Sequence, residues 1–193
     1  MGPDELIELL RRRLAERSPR EADATGFRCA AVLVPLLFRA EEAYLLFTQR
    51  TEEVSTHKGQ ISFPGGSLDS CDVDLSAAAL RETHEEIGIP AEQVVLLGRL
   101  DDHATNSSGF VITPFVGVVP IGVAHLSSDR EVARIVEVPL SVLLKDDAWQ
   151  PDPRSRHGQY VWQDTIIWGA TARILTSFLG ILGSPHRVHE VPL

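Results

Sequence analysis

Only two cysteines, Cys29 and Cys71, occur in the 193 residues, too few for a disulfide framework and without zinc-ligand spacing. No apolar run approaches the roughly 20 residues that cross a bilayer. Met1 to Arg13 is charged and lacks the apolar stretch of a secretory leader. Basic residues are outnumbered: 18 Lys and Arg against 27 Asp and Glu leave a net charge of −9. That argues against a general nucleic-acid surface, whose affinity comes from clustered cations neutralising phosphates. Internal repeats and low-complexity tracts are missing as well. The expectation is a cytoplasmic protein with no membrane or nucleic-acid partner, in which an anionic ligand needs local cations or a metal. What is present is ordinary for a globular protein, 44% hydrophobic and 23% charged. The length suits one domain over residues 1–193, with 1–25 as an N-terminal helix and linker.

Along the chain, Leu6, Ile7, Leu9, Leu10 and Leu14 recur at helical spacing within Asp4 to Arg17, predicting an amphipathic helix. Cys29 to Phe38 and Tyr44 to Gln49 are apolar and β-rich about a short turn, predicting a hairpin in a central sheet. Thr51 to Ser62 reads as a polar loop. Val94 to Leu100 and Phe110 to Val119 read as strands, with Asp101 to Gly109 a polar loop between them. Pro114 inside the second strand favours an edge or a bulge. Val132 to Val138 predicts a further strand, Pro139 to Leu144 a short helix and Tyr160 to Trp162 a short strand. Trp168 to Leu182 predicts a helix with Ala172, Leu175, Phe178 and Leu179 inward.

The chemistry concentrates in Arg81 to Ile89, RETHEEIGI. Alanine- and glutamate-rich sequence predicts a helix over Ser76 to Glu86, with Leu75, Ala78, Ala79, Thr83 and Ile87 on its apolar side. Glu82, Glu85 and Glu86 then fall at i, i+3 and i+4 and share one stripe, where they repel each other unless a cation intervenes. Carboxylate oxygens suit a hard divalent ion such as Mg2+, which fills its shell with waters and substrate phosphates. The plain alternative is a solvated acidic face. Gly88 stands where a left-handed cap ends the helix, and Phe63-Pro64-Gly65-Gly66 is a turn in which glycine admits close approach.

Together these residues resemble the Nudix box, G-x5-E-x7-R-E-U-x-E-E-x-G-U with U apolar. Arg81, Glu82, Glu85, Glu86, Gly88 and Ile89 match it. Thr83 replaces the usual aliphatic, and the first half fits only with one extra residue after Gly66, leaving Asp72 or Asp74 in place of the first glutamate. Leu46-Phe47-Thr48-Gln49-Arg50-Thr51, Gly59 and Phe63-Pro64-Gly65-Gly66 are similar to the signature of the coenzyme A pyrophosphatase branch, L-L-T-x-[RT]-[SA]-x3-R-x3-G-x3-F-P-G-G. Ser55 occupies its arginine position, where Arg50, His57 or Lys58 offers a replacement charge.

The resemblance implies an α/β (α+β) fold, an α/β/α sandwich with a central mixed sheet. It implies a hydrolase that depends on Mg2+ or Mn2+ and splits the pyrophosphate of coenzyme A or a derivative into 4′-phosphopantetheine and adenosine 3′,5′-bisphosphate. Glu82, Glu85 and Glu86 are the implied metal ligands, Arg81 the residue that ties a glutamate in place, and Glu82 or Glu131 the general base. Arg50, His57, Lys58, Gly65 and Gly66 are the implied substrate contacts, with a carbonyl of Gly65 or Gly66 available to the metal. The alternatives are another nucleoside diphosphate derivative, such as an ADP-sugar or a dinucleotide, and a non-catalytic nucleotide-binding regulator.

Overall fold

The computed structural model describes residues 1–51, 59–105, 108–122, 132–152 and 158–183. In chain order these form α1 (Pro3–Ala15), β1 (Arg28–Arg39), β2 (Glu42–Arg50), β3 (Ile61–Ser62), β4 (Gly65–Ser67) and α2 (Leu75–Ile87). There follow β5 (Val95–Arg99), β6 (His103–Thr105), β7 (Phe110–Val118), β8 (Val132–Pro139) and α3 (Leu140–Leu143). The chain closes with β9 (Trp149–Pro151), β10 (Gly158–Trp162), β11 (Thr165–Ile167) and α4 (Gly169–Ile181).

The predicted hairpin is β1 and β2, antiparallel from Leu36 opposite Leu45 to Arg39 opposite Glu42. On its other side β1 runs parallel to β7, from Arg28 opposite Phe110 to Leu36 opposite Val118. β2 also pairs antiparallel with β8, so the eight-stranded sheet is mixed. A smaller antiparallel sheet holds β9, β10 and β11.

Side chains alternate across a strand with period two, and β1 uses both faces. Val34 and Leu36 join Leu45, Phe47, Val136 and Val138 in the core beneath α1 and α4. Leu33 and Leu37 face Leu46, Ile87 and Ile89 on the α2 side, and Ala31 meets Ala78 and Ala79. A strand buried on both faces reads as an unbroken apolar run. The layers are the expected α/β/α, and this is an α+β fold.

The N-terminal helix is part of that core. Leu6, Leu10 and Leu14 are buried, each worth roughly 1.5–3 kcal/mol. The linker behind it is tied down, because Arg20 N–H donates to Asp101 Oδ1 at 2.9 Å and Ala22 N–H to Asp102 Oδ2 at 3.1 Å. No helix among the described residues is long and apolar enough to cross a membrane.

Two sequence expectations need correction. Pro114 is neither on an edge strand nor in a bulge of β7; it lies in a central strand, opposite Val32 of β1. On its other flank β5 ends at Arg99 and β6 begins at His103, so no ladder partner needs its missing N–H, and its carbonyl accepts from Leu100 N–H at 2.9 Å. The polar loop from Asp101 is also more ordered than its composition implies, since His103 to Thr105 pair with Phe110 to Ile112 as β6.

Candidate active site

The acidic helix α2 forms as its pattern predicts. Asp74 caps its N-terminus, with Oδ1 accepting from Ala77 N–H at 2.9 Å and from Ser76 Oγ at 2.6 Å. Gly88 ends it at φ 69°, its N–H returning to the His84 carbonyl at 2.9 Å. Ala78, Ala79, Thr83 and Ile87 are the buried stripe. Thr83, the departure from an aliphatic, satisfies its hydroxyl within the helix by donating to the Ala79 carbonyl at 2.6 Å. Packing that stripe on β1 leaves Glu85 at the surface, with Glu82 and Glu86 partly buried along the edge of the stripe.

The glycine turn meets this flank. β4 pairs with β1, Gly66 opposite Ala31 and Gly65 opposite Val32. Gly65 adopts φ 149°, and a Cβ there would lie 2.3 Å from the Ala31 carbonyl oxygen, so the position demands glycine. A Cβ on Gly66 would lie 2.4 Å from Cδ and Oε1 of Glu82. The missing side chain is what lets the Glu82 carboxylate rest against the turn. Burial there pushes the Glu82 carboxyl above the usual glutamate range, although Arg81 pulls the other way.

Arg81 occupies the centre. Its Nε and Nη2 donate to Oδ1 and Oδ2 of Asp72, each at 3.0 Å, and Nη2 also reaches the Ser67 carbonyl at 3.1 Å. Nη1 donates to Glu82 Oε1 at 3.1 Å and to Glu85 Oε2 at 3.0 Å. The Arg81 hydrogen bond is the main reason Asp72 is held below the ordinary aspartate range, and the same contact raises Arg81 further above its own. Of the two aspartates open from sequence, Asp74 caps the helix and Asp72 takes the arginine.

The cation lying between Glu82 and Glu85 is therefore Arg81. Among the described residues no group of three or more His, Cys, Asp or Glu side chains is gathered as a ready metal cluster. The expected stripe is present but Arg81 draws two of its members toward Asp72, leaving Glu85 half exposed and Glu86 partly buried. The donor chemistry still fits a hard divalent ion: Glu82, Glu85 and Glu86 offer carboxylate oxygens, and the bare Gly66 lets the Glu82 carboxylate lie against the turn.

Among the remaining sequence candidates, Arg50 ends β2, half buried, with its N–H on the Gln60 carbonyl at 3.0 Å. Gln60 lies just ahead of β3 and the glycine turn. His57, Lys58 and Glu131, together with Ser55, fall outside the described residues. The Ser67 carbonyl as an Arg81 acceptor is a contact that no side-chain pattern signals, because it depends on β4 folding back under the helix.

A mixed sheet thus lies between helices, with an acidic helix seated on a glycine turn. The NUDIX domain pattern matches residues 27–157. The chain is 41% identical over 165 residues to the uncharacterized Nudix hydrolase NudL of Enterobacter sp. (strain 638), covering 82% of this chain and 85% of that one. It is 41% identical over 154 residues to the protein of the same name from Photorhabdus laumondii, covering 77% and 81%. Among solved structures it resembles a C. elegans Ap4A hydrolase binary complex, with a TM-score of 0.55, 18% identity and coverage of 81% of this chain and 98% of that one. A MutT/nudix family protein from Enterococcus faecalis gives a TM-score of 0.57 at 15% identity, covering 95% and 75%. The chain belongs to the Nudix family. It is a Nudix hydrolase, in a family that generally requires a divalent metal.

Proposed function

We propose that this Nudix hydrolase cleaves the pyrophosphate of coenzyme A or its derivatives, giving 4′-phosphopantetheine and adenosine 3′,5′-bisphosphate. The observation that carries the reading is the coincidence of Leu46-Phe47-Thr48-Gln49-Arg50-Thr51, Gly59 and Phe63-Pro64-Gly65-Gly66 ahead of the acidic helix.

In this reading Glu82, Glu85 and Glu86 hold Mg2+ or Mn2+, with a carbonyl of Gly65 or Gly66 beside them. When bound, the ion neutralises the diphosphate and lowers the pKa of an attacking water. Arg81 orients Glu82 and Glu85 and is itself oriented by Asp72. Glu82 or Glu131 accepts the water's proton. Arg50, His57 and Lys58 contact substrate phosphates. Residues 1–193 act as one cytoplasmic domain with a small-molecule substrate.

A second reading, cleavage of an ADP-sugar or a dinucleotide, is favoured by Ser55 at the signature arginine position, because losing a bidentate guanidinium weakens phosphate recognition. Incubation with Mg2+ and a panel of coenzyme A, ADP-ribose, NADH and diadenosine polyphosphates separates the two. Release of 4′-phosphopantetheine is the expected result, and cleavage of the other substrates alone establishes the second reading.

A further inference from the structure

The acidic helix accounts for the diphosphate of a substrate and leaves its nucleoside end unassigned. A cleft of about 200 Å3 lies where β11 packs against β3, lined by Gln49, Gly59, Ile61, Asp164, Ile166 and Trp168. Pockets for whole drug-sized ligands run about 300–1,000 Å3, so this one admits a single heterocycle. Its distance from the chemistry is bounded by the chain: Gly66 follows Ile61 by five residues, at most about 18 Å when extended. An extended nucleoside diphosphate derivative spans that order of length.

Arg134 of β8 fixes the polar wall. Its Nε–H donates to Gln49 Oε1 at 2.5 Å, and Nη2 donates to Asp164 Oδ2 at 3.0 Å. Gln49 Nε2 donates to the Gly59 carbonyl at 3.2 Å. A guanidinium only donates and a carbonyl only accepts, so the amide has one permitted orientation. Among the described residues one Nε2 hydrogen remains to be given, and Asp164 Oδ1 receives only a long contact of 3.5 Å from Thr165 Oγ1. A donor and an acceptor thus both line the cleft, together with Ile166 and Trp168.

We propose that this cleft is an adenine subsite, in which Gln49 donates to a ring nitrogen, Asp164 accepts from the exocyclic amine, and the ring lies against Trp168 and Ile166. Adenine presents an acceptor, N7, beside a donor amine at N6; guanine presents two acceptors, N7 and O6. The Asp164 carboxylate therefore pairs with adenine and repels guanine O6. The subsite deepens the proposed function and rests on the reading that the substrate is a nucleoside diphosphate derivative. Asp164 is 69% exposed, which holds the discrimination near the lower end of a bidentate base contact, about ten-fold.

The test is calorimetric titration of the full chain, in Mg2+, with the α,β-methylene analogues of ADP and GDP. The ADP analogue is expected to bind about ten-fold tighter. In Asp164→Asn the amide oxygen turns to Arg134 and the amide nitrogen faces the cleft, so the ratio falls to about one or reverses in favour of guanine. Equal affinities in the unsubstituted protein, failure to bind either analogue, or a ratio unmoved by Asp164→Asn overturns the subsite. Adenine preference without hydrolysis of the substrate panel would instead remove the coenzyme A reading and leave the subsite standing.

Discussion

Asp72 and Arg81 are joined by two hydrogen bonds of 3.0 Å, Nε to Oδ1 and Nη2 to Oδ2, between a loop and a helix nine residues further on. The Asp72 side chain is only 3% exposed, and its partner is the group that holds Glu82 and Glu85. Asp72 is thus a positioning residue. Asp72→Asn halves the fork and is expected to lower kcat by about 10–100-fold with a smaller change in KM, the range for partners that orient first ligands. Asp72→Glu, which keeps the carboxylate, recovers part of the loss. Steady-state kinetics with wild-type kcat in Asp72→Asn would remove this role.

Gly66→Ala places a methyl group where the Glu82 carboxylate now sits. The side chain swings aside more easily than the backbone, so the fold survives and the geometry does not. Activity is expected to fall at least about ten-fold, roughly 1.4 kcal/mol on the barrier, with an unchanged circular dichroism spectrum. Activity equal to wild type would show that the contact between turn and carboxylate is incidental.

Glu86→Gln keeps the size of the side chain and removes its charge from the acidic flank. Turnover is expected to drop by at least about 100-fold, roughly 2.7 kcal/mol. Calorimetry with Mn2+ should show weaker uptake than the unsubstituted chain. Full turnover at low metal concentration contradicts the ligand assignment.

His103 predicts a pH dependence of stability. Burial, reinforced by Arg173, lowers its pKa to about 4, against about 6.5 in an unfolded chain. The folded state therefore resists protonation. Stability is complete above pH 6.5 and declines as pH falls toward 4, by at most roughly 3 kcal/mol. Urea midpoints at pH 7 and pH 4.5 should converge in His103→Gln relative to wild type. Equal slopes in the two proteins would place the acid sensitivity elsewhere.

Leu10→Ala tests whether the N-terminal helix belongs to the domain. Leu10 is completely buried in the same core as Phe178 and Leu179, so a loss of about 2–5 kcal/mol is expected. Thermal unfolding with an unshifted midpoint would make α1 a separate appendage.

Legibility from sequence follows the range of the interaction. The Leu6, Leu10 and Leu14 stripe, the β1 and β2 hairpin, the inward face of α4 and the Gly88 cap all stand in the structure as their spacing predicts. Each is a local pattern, set by the 3.6-residue turn, the two-residue pleat or one backbone conformation. Pro114 departs from its expected edge or bulge because a strand's neighbours are not written in its own residues, and the gap between β5 and β6 makes that proline harmless in the middle of a sheet.

The acidic triplet, the glycine turn and the Nudix family were determined by the sequence alone, since their residues lie within a short stretch whose spacing carries the chemistry. Tertiary structure decided that Asp72 and not Asp74 holds Arg81, that Arg81 lies between Glu82 and Glu85, and that Arg134 ties together Gln49 and Asp164, which come from distant parts of the chain to line one cleft. A side chain's partner across the fold depends on where distant strands pair and which face each residue takes, and a slip of one residue in that pairing would reverse every such contact.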